Sequence, residues 1–502
     1  MSPTRLQRPS AVPWVALLVV LISVGLALLT GAVAGLGSRL LLAPFAALIG
    51  ILVLALLPAR HVVWALVISA FLVVGPAIYY GGVEIMRWLA PGLAFALFLP
   101  WMLSALRLRP SATAGAPQAG FILWYGIFLL TALFATLLSS PRVAEQIFAS
   151  RMYLAYLGLA LVVSAGLLSA RDQWQIWRFL LWAAVLQAPF AVMQAISTAR
   201  ARGFQGATWD AVVGTFPGNA DTGGANAGMS VFCVVAAVVA LSLRQRGFLS
   251  RGMFLLVLAS ALICMAAGEV KAVVLMLPLA AAVYFWPQLL RRPVRSLAWM
   301  AVGVVAAAGF LGAYNALYYA DRNALGRVPV PLSAQESIAN QLDPQLDQRG
   351  TIMGRMASFY DWAERHDTPG SLPFAIVGHG LGSLQFGRLG VGEVAQTLTY
   401  RADNTATGLL LWETGLLGYA LVAVFLVAGA VAAFRLRNAP GVPPLHQAIG
   451  YALCTAFVLH LVSLPYKDFM FRAPPNQVLL FFMVGYVAYW TRVSRASHAR
   501  QH

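Results

Sequence analysis

The sequence predicts an all-α polytopic membrane protein of about 14 transmembrane helices, with a large extracytoplasmic loop carrying an amphipathic helix between spans 11 and 12. Three observations predict it. Hydrophobic residues make up 60% of the chain and charged ones 10%, with mean hydropathy +0.77, whereas soluble domains carry about a quarter charged residues. Apolar runs of about 18 residues or more, each able to cross about 30 Å of hydrocarbon as a helix, recur from end to end. Nothing alternates with the ten-residue rhythm of a membrane barrel, and backbone groups in lipid must be satisfied within helices or closed barrels.

The expected spans are 13–36, 39–58, 62–80, 88–106, 119–139, 152–169, 175–198, 224–243, 252–268, 270–288, 298–317, 405–434, 446–465 and 476–491. The first is longer than the core of a cleavable signal and reads as a retained span. The ninth and tenth meet at Gly268-Glu269-Val270-Lys271 and read equally well as a broken or re-entrant pair. The implied division is a cytoplasmic N-terminus (1–12), spans 1–11 (13–317), an extracytoplasmic loop (318–404), spans 12–14 (405–491) and a cytoplasmic tail (492–502). Cys233, Cys264 and Cys454 all fall in apolar runs and read as small buried hydrophobes rather than a disulfide framework.

Charge orients the chain. With both termini inside, the cytoplasmic segments hold 18 basic residues against the single acid Asp172, while the remaining 16 basic and 16 acidic residues balance. The whole formal charge of +17 then sits on one side, as the positive-inside rule requires. A pI near 10.3 is explained by these scattered short loops, so no nucleic-acid partner is expected.

The loop from Tyr318 to Asn404 holds seven of the 34 basic residues, nine of the 17 acidic ones and two of the seven histidines. Within it, Ile352, Met356, Phe359, Tyr360 and Ala363 recur at helical spacing and predict an amphipathic helix on the membrane surface, with Arg355 at the edge of its apolar face. Gly378-His379-Gly380-Leu381-Gly382 lacks the strand–helix setting of a nucleotide loop and reads as a glycine turn carrying His379. Asp403 stands where an N-cap of the next helix belongs, and Glu413 lies about nine residues into that span, where a carboxylate needs a partner. Glu269 and Lys271 border two apolar runs, where charge is costly unless paired or facing a cavity. Earlier, the turn-rich stretch from 199 to 226 runs into a helix start near Asn226 and offers Arg202 and Asn219 as ligand contacts. The scattered acids and histidines of the loop lack metal-ligand spacing, so no metal and no cofactor is expected.

Gly214-Thr-Phe216…Asn219, Gly378-His-Gly380-Leu-Gly382 and Asp403-Asn404…Glu413-Thr-Gly415-Leu-Leu-Gly418, with many spans and one long late loop, make the chain similar to the O-antigen ligase and polysaccharide polymerase superfamily of the bacterial envelope. The likeness is clearest from Val213 to about Ala420. It implies glycosyl transfer from an undecaprenyl-diphosphate-linked glycan to a sugar hydroxyl on the outer face of the bacterial inner membrane, without nucleotide or metal. Membrane lipid, a chain-length regulator and a flippase are the further partners it implies. Carried over by position, the family's basic residue falls on Lys271, its loop arginine on Arg355 and its catalytic histidine on Asp403. Arg401, Arg202, Asn219, Glu269, Asn404 and Glu413 then line the substrate. Two positions depart from the family. Lysine for arginine keeps charge but loses the bidentate fork, and aspartate for histidine keeps a proton acceptor of different basicity, with His379 the alternative base.

Three functions follow as expectations. The first is polymerisation of lipid-linked repeat units into exopolysaccharide or O-antigen, favoured because ligases are expected to keep the histidine. The second is an O-antigen-type ligase acting on a lipid or protein acceptor. The third, a lipid-linked oligosaccharide flippase, would place its charges along mid-membrane helices rather than at one face.

Overall fold

The computed structural model describes Gly50 and residues 57–106, 120–139, 143–201, 209–221, 223–268, 271–294, 297–298, 301, 305, 309, 347–348, 352–353, 355–387, 390–398 and 400–499. The chain divides into units 1–58 and 59–502, and every helix named below belongs to the second. Among the described residues, nine helices are long and apolar enough to cross a membrane. Seven come first: α1 (Ala59–Tyr79), α2 (Glu84–Leu106), α3 (Phe121–Ser139), α4 (Glu145–Ser164), α5 (Ala170–Thr198), α6 (Asn226–Gln245) and α7 (Arg251–Gly268). After α8 (Lys271–Tyr284), α9 (Arg355–Arg365) and α10 (Leu372–Val377) come the other two, α11 (Ala406–Asn438) and α12 (Pro444–Ser463). The short α13 (Phe469–Arg472) and the 26-residue α14 (Pro474–Ala499) close the chain.

These helices answer to most of the expected spans. The segment 13–36, nearly all of 39–58 and most of 298–317 lie outside the described residues. The expected tenth span is a helix of 14 residues, and the expected fourteenth, α14, is less apolar than the nine because Asn476, Gln477, Arg492 and Arg495 sit near its ends. It is nevertheless the most enclosed helix, buried without interruption from Pro474 to Ala488, as a helix that is apolar all round should be. Aromatic contacts knit the core beneath the site: Tyr125 of α3 meets Phe425 of α11 at 5.0 Å and Phe481 of α14 at 5.2 Å.

Helices in lipid keep their backbone polar groups satisfied, so every break needs substitute partners. Helix α1 carries a π-helical turn at Ser69–Val73, and Phe71 O accepts from Thr215 Oγ1. The turn containing Thr215 is irregular backbone enclosed by spans, and two glutamines of α5 hold it. Gln194 Oε1 accepts from the amides of Val213 and Gly214 at 2.9 and 2.7 Å while its Nε2 donates to Gly214 O. Gln187 Oε1 accepts from Thr215 N at 2.8 Å. Gly75 admits the close approach, since a Cβ there would lie 1.9 Å from Thr215 O. Helix α4 breaks after Tyr153, and the carbonyls of Met152 and Tyr153 accept from Gln477 Nε2 at 2.7 Å and Tyr125 Oη at 2.6 Å.

The amphipathic helix is present as α9, but its packing face differs from the one predicted. Ser358, Trp362 and His366 are buried, whereas Phe359 and Tyr360 are 38% and 50% exposed. Ile352 does not belong to the helix; it pairs with Gln348 in a two-residue hairpin. The reason lies outside the helix. Asp361 on α9 accepts from Arg365 Nε at 2.9 Å and from Tyr400 Oη, which rotates the helix so that the serine, tryptophan and histidine face α11.

Candidate functional site

Asp403 lies in a 3₁₀ turn, Ala402–Asn404, directly ahead of α11. It does not cap that helix. Thr405 does, with extended backbone and Oγ1 accepting from Gly408 N at 2.9 Å, the usual N-cap geometry. The Asp403 carboxylate, fully buried, instead faces two guanidinium groups. Arg401 donates through Nε to Oδ1 and through Nη2 to Oδ2, both at 3.2 Å, and Arg472 Nη2 donates to the same Oδ2 at 2.5 Å. Arg472 is held in turn by Asp468, whose Oδ2 is 3.1 Å from its Nε. Burial alone would raise the Asp403 pKa, but Arg472 and then Arg401 overcome it and hold the carboxyl below its ordinary range. Burial would lower Arg472, and Asp403 and Asp468 together hold it above the ordinary arginine value.

Glu413, about two turns into α11, has the partner that its depth demanded. Tyr153 Oη donates to Oε2 at 2.8 Å, from the last residue before the break in α4. Gly382, Leu384 and Arg472 lie within electrostatic range of the same carboxylate. Both groups are fully buried.

The glycine turn has a structural function. Gly378, Gly380 and Gly382 have φ of 82°, 87° and 88°, values that favour glycine. Helix α11 is kinked at Gly415, with φ 64° and ψ −171°, which turns carbonyls of the preceding residues out of the helix. His379 N and Gly380 N donate to Trp412 O and Glu413 O at 2.9 and 3.0 Å. Leu381 N donates to Thr136 Oγ1 of α3 at 2.9 Å. The turn thus plugs the kink. The His379 ring stacks on Phe374 at 4.6 Å, nearly parallel, and its Nε2 is 3.1 Å from His366 Nε2. His366 Nδ1 lies 2.7 Å from Trp362 O, an oxygen that only accepts, so with both rings neutral His379 donates from Nε2 and keeps its lone pair on Nδ1. Burial, then His366, pushes the His379 pKa down to about 4. That makes it a weak base, below the basicity that proton abstraction near neutral pH favours.

Arg355 opens α9 and lies over the Tyr466 ring, 3.9 Å from its centroid. Burial lowers its pKa, and Tyr466 opposes that. The strand Ile352–Met353 just ahead of it packs on the Ala402–Asn404 turn, so Arg355 and Asp403 belong to one end of the bundle. Asn404 Nδ2 donates to Arg401 O at 3.0 Å and fixes the backbone that presents Arg401. Asn219 Oδ1 accepts from Asp221 N at 3.1 Å, a local turn bond. Arg202, Glu269 and the Lys271 side chain lie outside the described residues.

Sequence reasoning missed three contributors. Arg472 and Asp468 lie between two apolar runs, in Tyr466-Lys-Asp468-Phe-Met-Phe-Arg472, and an acid and a base four residues apart beside spans were the available signal. Arg151, 4.9 Å from the Trp88 ring centroid and within electrostatic range of Arg472, carries no comparable signal. The end of the bundle therefore gathers Arg151, Arg355, Arg401 and Arg472 against Asp403, Asp468 and the deeper Glu413. Away from it, an apolar groove of about 770 Å³ runs between α5 and α7 past Pro189, Val192, Ile196, Leu256 and Ile263; none of the site residues lines it. No known protein family and no characterised protein matches the chain in sequence.

Proposed function

We propose that the protein polymerises polyprenyl-diphosphate-linked oligosaccharide repeat units on the outer face of a bacterial inner membrane. The observation that carries the reading is the convergence of Arg401 and Arg472 on the buried Asp403, at one end of a membrane-spanning bundle. A lipid diphosphate enters from the bilayer while its sugars stay in water, so its phosphates lie where spans end. Guanidinium groups match phosphate oxygens as bidentate donors and neutralise charge that grows on a departing diphosphate.

The step balances without a nucleotide. An acceptor sugar hydroxyl attacks the anomeric carbon of the donor glycan and forms the new C–O bond. The bond from that carbon to the diphosphate oxygen breaks, with the electron pair leaving on the diphosphate. The hydroxyl proton passes to Asp403, and Arg355 and Arg401 offset the leaving charge. Asp403 takes the base role by its place between Arg401 and Arg472 at the site, whereas the His379 ring is bonded to His366 and stacked on Phe374.

Reconstitution in proteoliposomes with a polyprenyl-diphosphate-linked repeat unit tests this. A ladder of longer lipid-linked glycans, lost in Asp403→Ala and Arg355→Ala proteins that circular dichroism shows to be folded, is the expected result. A single transfer onto a lipid acceptor identifies a ligase, and transbilayer movement of intact donor without new linkages identifies a flippase.

A further inference from the structure

At the far end of α11, away from Asp403, positive charge gathers without an acid to meet it. The segments 244–251, 284–297 and 432–447 hold eight arginines and no aspartate or glutamate. Asp172, the one acid in the segments expected on that side, is bonded to Ser169 at the start of α5. Helix α11 spans 33 residues, so this end lies about 50 Å along the helix from the candidate site. Arg244, Arg251, Arg291, Arg292 and Arg435 are exposed, as arginines of short loops beside spans should be. Arg246 and Arg437 are half-buried, and neutral groups hold them. Arg246 donates through Nη1 to Gln447 Oε1 at 3.1 Å and through Nη2 to Arg437 O at 3.0 Å. Gln447 is itself fixed, donating to Ala439 O and Val442 O at 3.0 and 3.1 Å. The Arg437 guanidinium lies over the Tyr451 ring, 5.1 Å from its centroid. Both arginines are within electrostatic range of Tyr284, whose ring meets that of Tyr451 at 5.1 Å. Among the described residues neither is ion-paired, and Arg246 uses two of its five N–H groups. Like charges drawn partly out of water side by side are unfavourable unless an anion joins them.

A lipid-facing path leads to the same place. Phe434 meets Tyr451 with ring centroids 6.0 Å apart and is 38% exposed, and Val424, Val427 and Val431 are 40%, 48% and 45% exposed. These four stand three or four residues apart, so one apolar stripe follows α11 and ends at Arg437. We propose that Arg246 and Arg437 bind the phosphate of an anionic phospholipid whose acyl chain lies along Val424, Val427, Val431 and Phe434. Guanidinium groups offer planar donor pairs to phosphate oxygens, and basic pockets between the ends of spans hold anionic headgroups in this way. The stripe commits the site to a lipid. A phospholipid presents its phosphate where the span ends with its chain already in hydrocarbon, whereas a soluble phosphate has nothing to lay against the valines. Bound there, the lipid ties together the ends of α6, α11 and α12, whatever the opposite end of the bundle catalyses.

Native mass spectrometry of the full-length protein in neutral detergent, titrated with phosphatidylglycerol or with phosphatidylcholine of the same chains, tests this. The wild type is expected to bind its first phosphatidylglycerol about tenfold or more tightly than phosphatidylcholine, as a net negative headgroup at paired arginines implies. Arg246→Gln and Arg437→Gln should each weaken phosphatidylglycerol about tenfold, while Arg178→Gln, at an exposed position of α5 expected on the same membrane face, leaves it unchanged. Equal binding of the two lipids by the wild type overturns the proposal whether or not any variant folds. An equal loss in Arg178→Gln overturns it too, because the preference is then a property of the whole charged face. Arg437→Lys keeps the charge and loses the stacked fork; if the glutamine variants do not fold, an undiminished preference in this protein overturns the site. Displacement of bound phosphatidylglycerol by inorganic phosphate at equal concentration would assign the arginines to a soluble anion and overturn the lipid.

Discussion

Replacing Gly415 by alanine tests the account of the kinked span most directly. Its backbone, φ 64° and ψ −171°, belongs to a region that is essentially glycine's own, and holding another residue there costs about 1–3 kcal/mol. The added methyl would also lie 2.3 Å from Ile376 O and 2.7 Å from Gly378 N, both backbone atoms that cannot step aside singly. The turn must lift, and the bonds from His379 N to Trp412 O and from Gly380 N to Glu413 O go with it, at about 1 kcal/mol each. The total is about 3–5 kcal/mol against the docked state. Hydrogen exchange of residues 378–385 in nanodiscs reads this locally and avoids irreversible unfolding. An opening equilibrium shifted by even 2 kcal/mol speeds exchange about 30-fold. Gly92→Ala, where a Cβ meets nothing within 4 Å, is the matched control. Wild-type protection at His379, Gly380 and Leu381 in Gly415→Ala protein would refute the proposed coupling between kink and turn.

Two further outcomes follow from the charges. Arg472→Leu leaves the fully buried Asp403 with Arg401 alone and strips Asp468 of its partner, so stability should fall by about 3 kcal/mol; the Asp403→Asn, Arg472→Leu double variant should lose less than the sum, which melting temperatures of the four proteins decide. The His379 turn should loosen in acid: its folded pKa of about 4 lies below the ordinary 6.5 or so, so between these values the undocked form binds more protons and docking weakens as pH falls. The protection of 378–382, taken against the intrinsic exchange rate at each pH, should therefore fall from pH 6.5 towards 4.5 in the wild type, and His379→Gln should flatten that trend.

How much the sequence disclosed depended on whether the signal was local. Periodicity and length place α1 to α7, α11 and α12, because hydrocarbon imposes one rule on every spanning residue. The need of Glu413 for a partner was likewise a local inference. The partner was not legible, since Tyr153 lies 260 positions away on another helix. Helix α9 misled for a related reason. Its apolar spacing chose Phe359 and Tyr360 as the buried face, while the actual rotation is set by Asp361 with Tyr400, a contact across the loop. The three glycines from 378 to 382 announced a turn, but their need for positive φ arises from carbonyls in another helix.

The pairing of Asp403 with Arg472 is a consequence of helix register. Helices α11 and α12 run side by side and antiparallel, so the start of one adjoins the end of the other, and Thr407 N donates to Leu464 O at 2.9 Å to fix the alignment. Asp403 precedes that tie by four residues and Arg472 follows it by eight, through the turn at Tyr466, whose amide donates to Ser463 O at 2.9 Å. Two residues 69 positions apart thus meet without any strand or loop built for the purpose. A slip of one helical turn moves a residue by about 5.4 Å along the axis, more than the reach of a hydrogen bond, so the site tolerates no such slip. Buried Gly429 and Gly450 let the two helices lie close, since a Cβ at either would come within 2.8 Å of Phe457 or Leu436 on the other helix. These glycines, which offer no chemistry of their own, let the helices approach closely enough for Asp403 to meet Arg472.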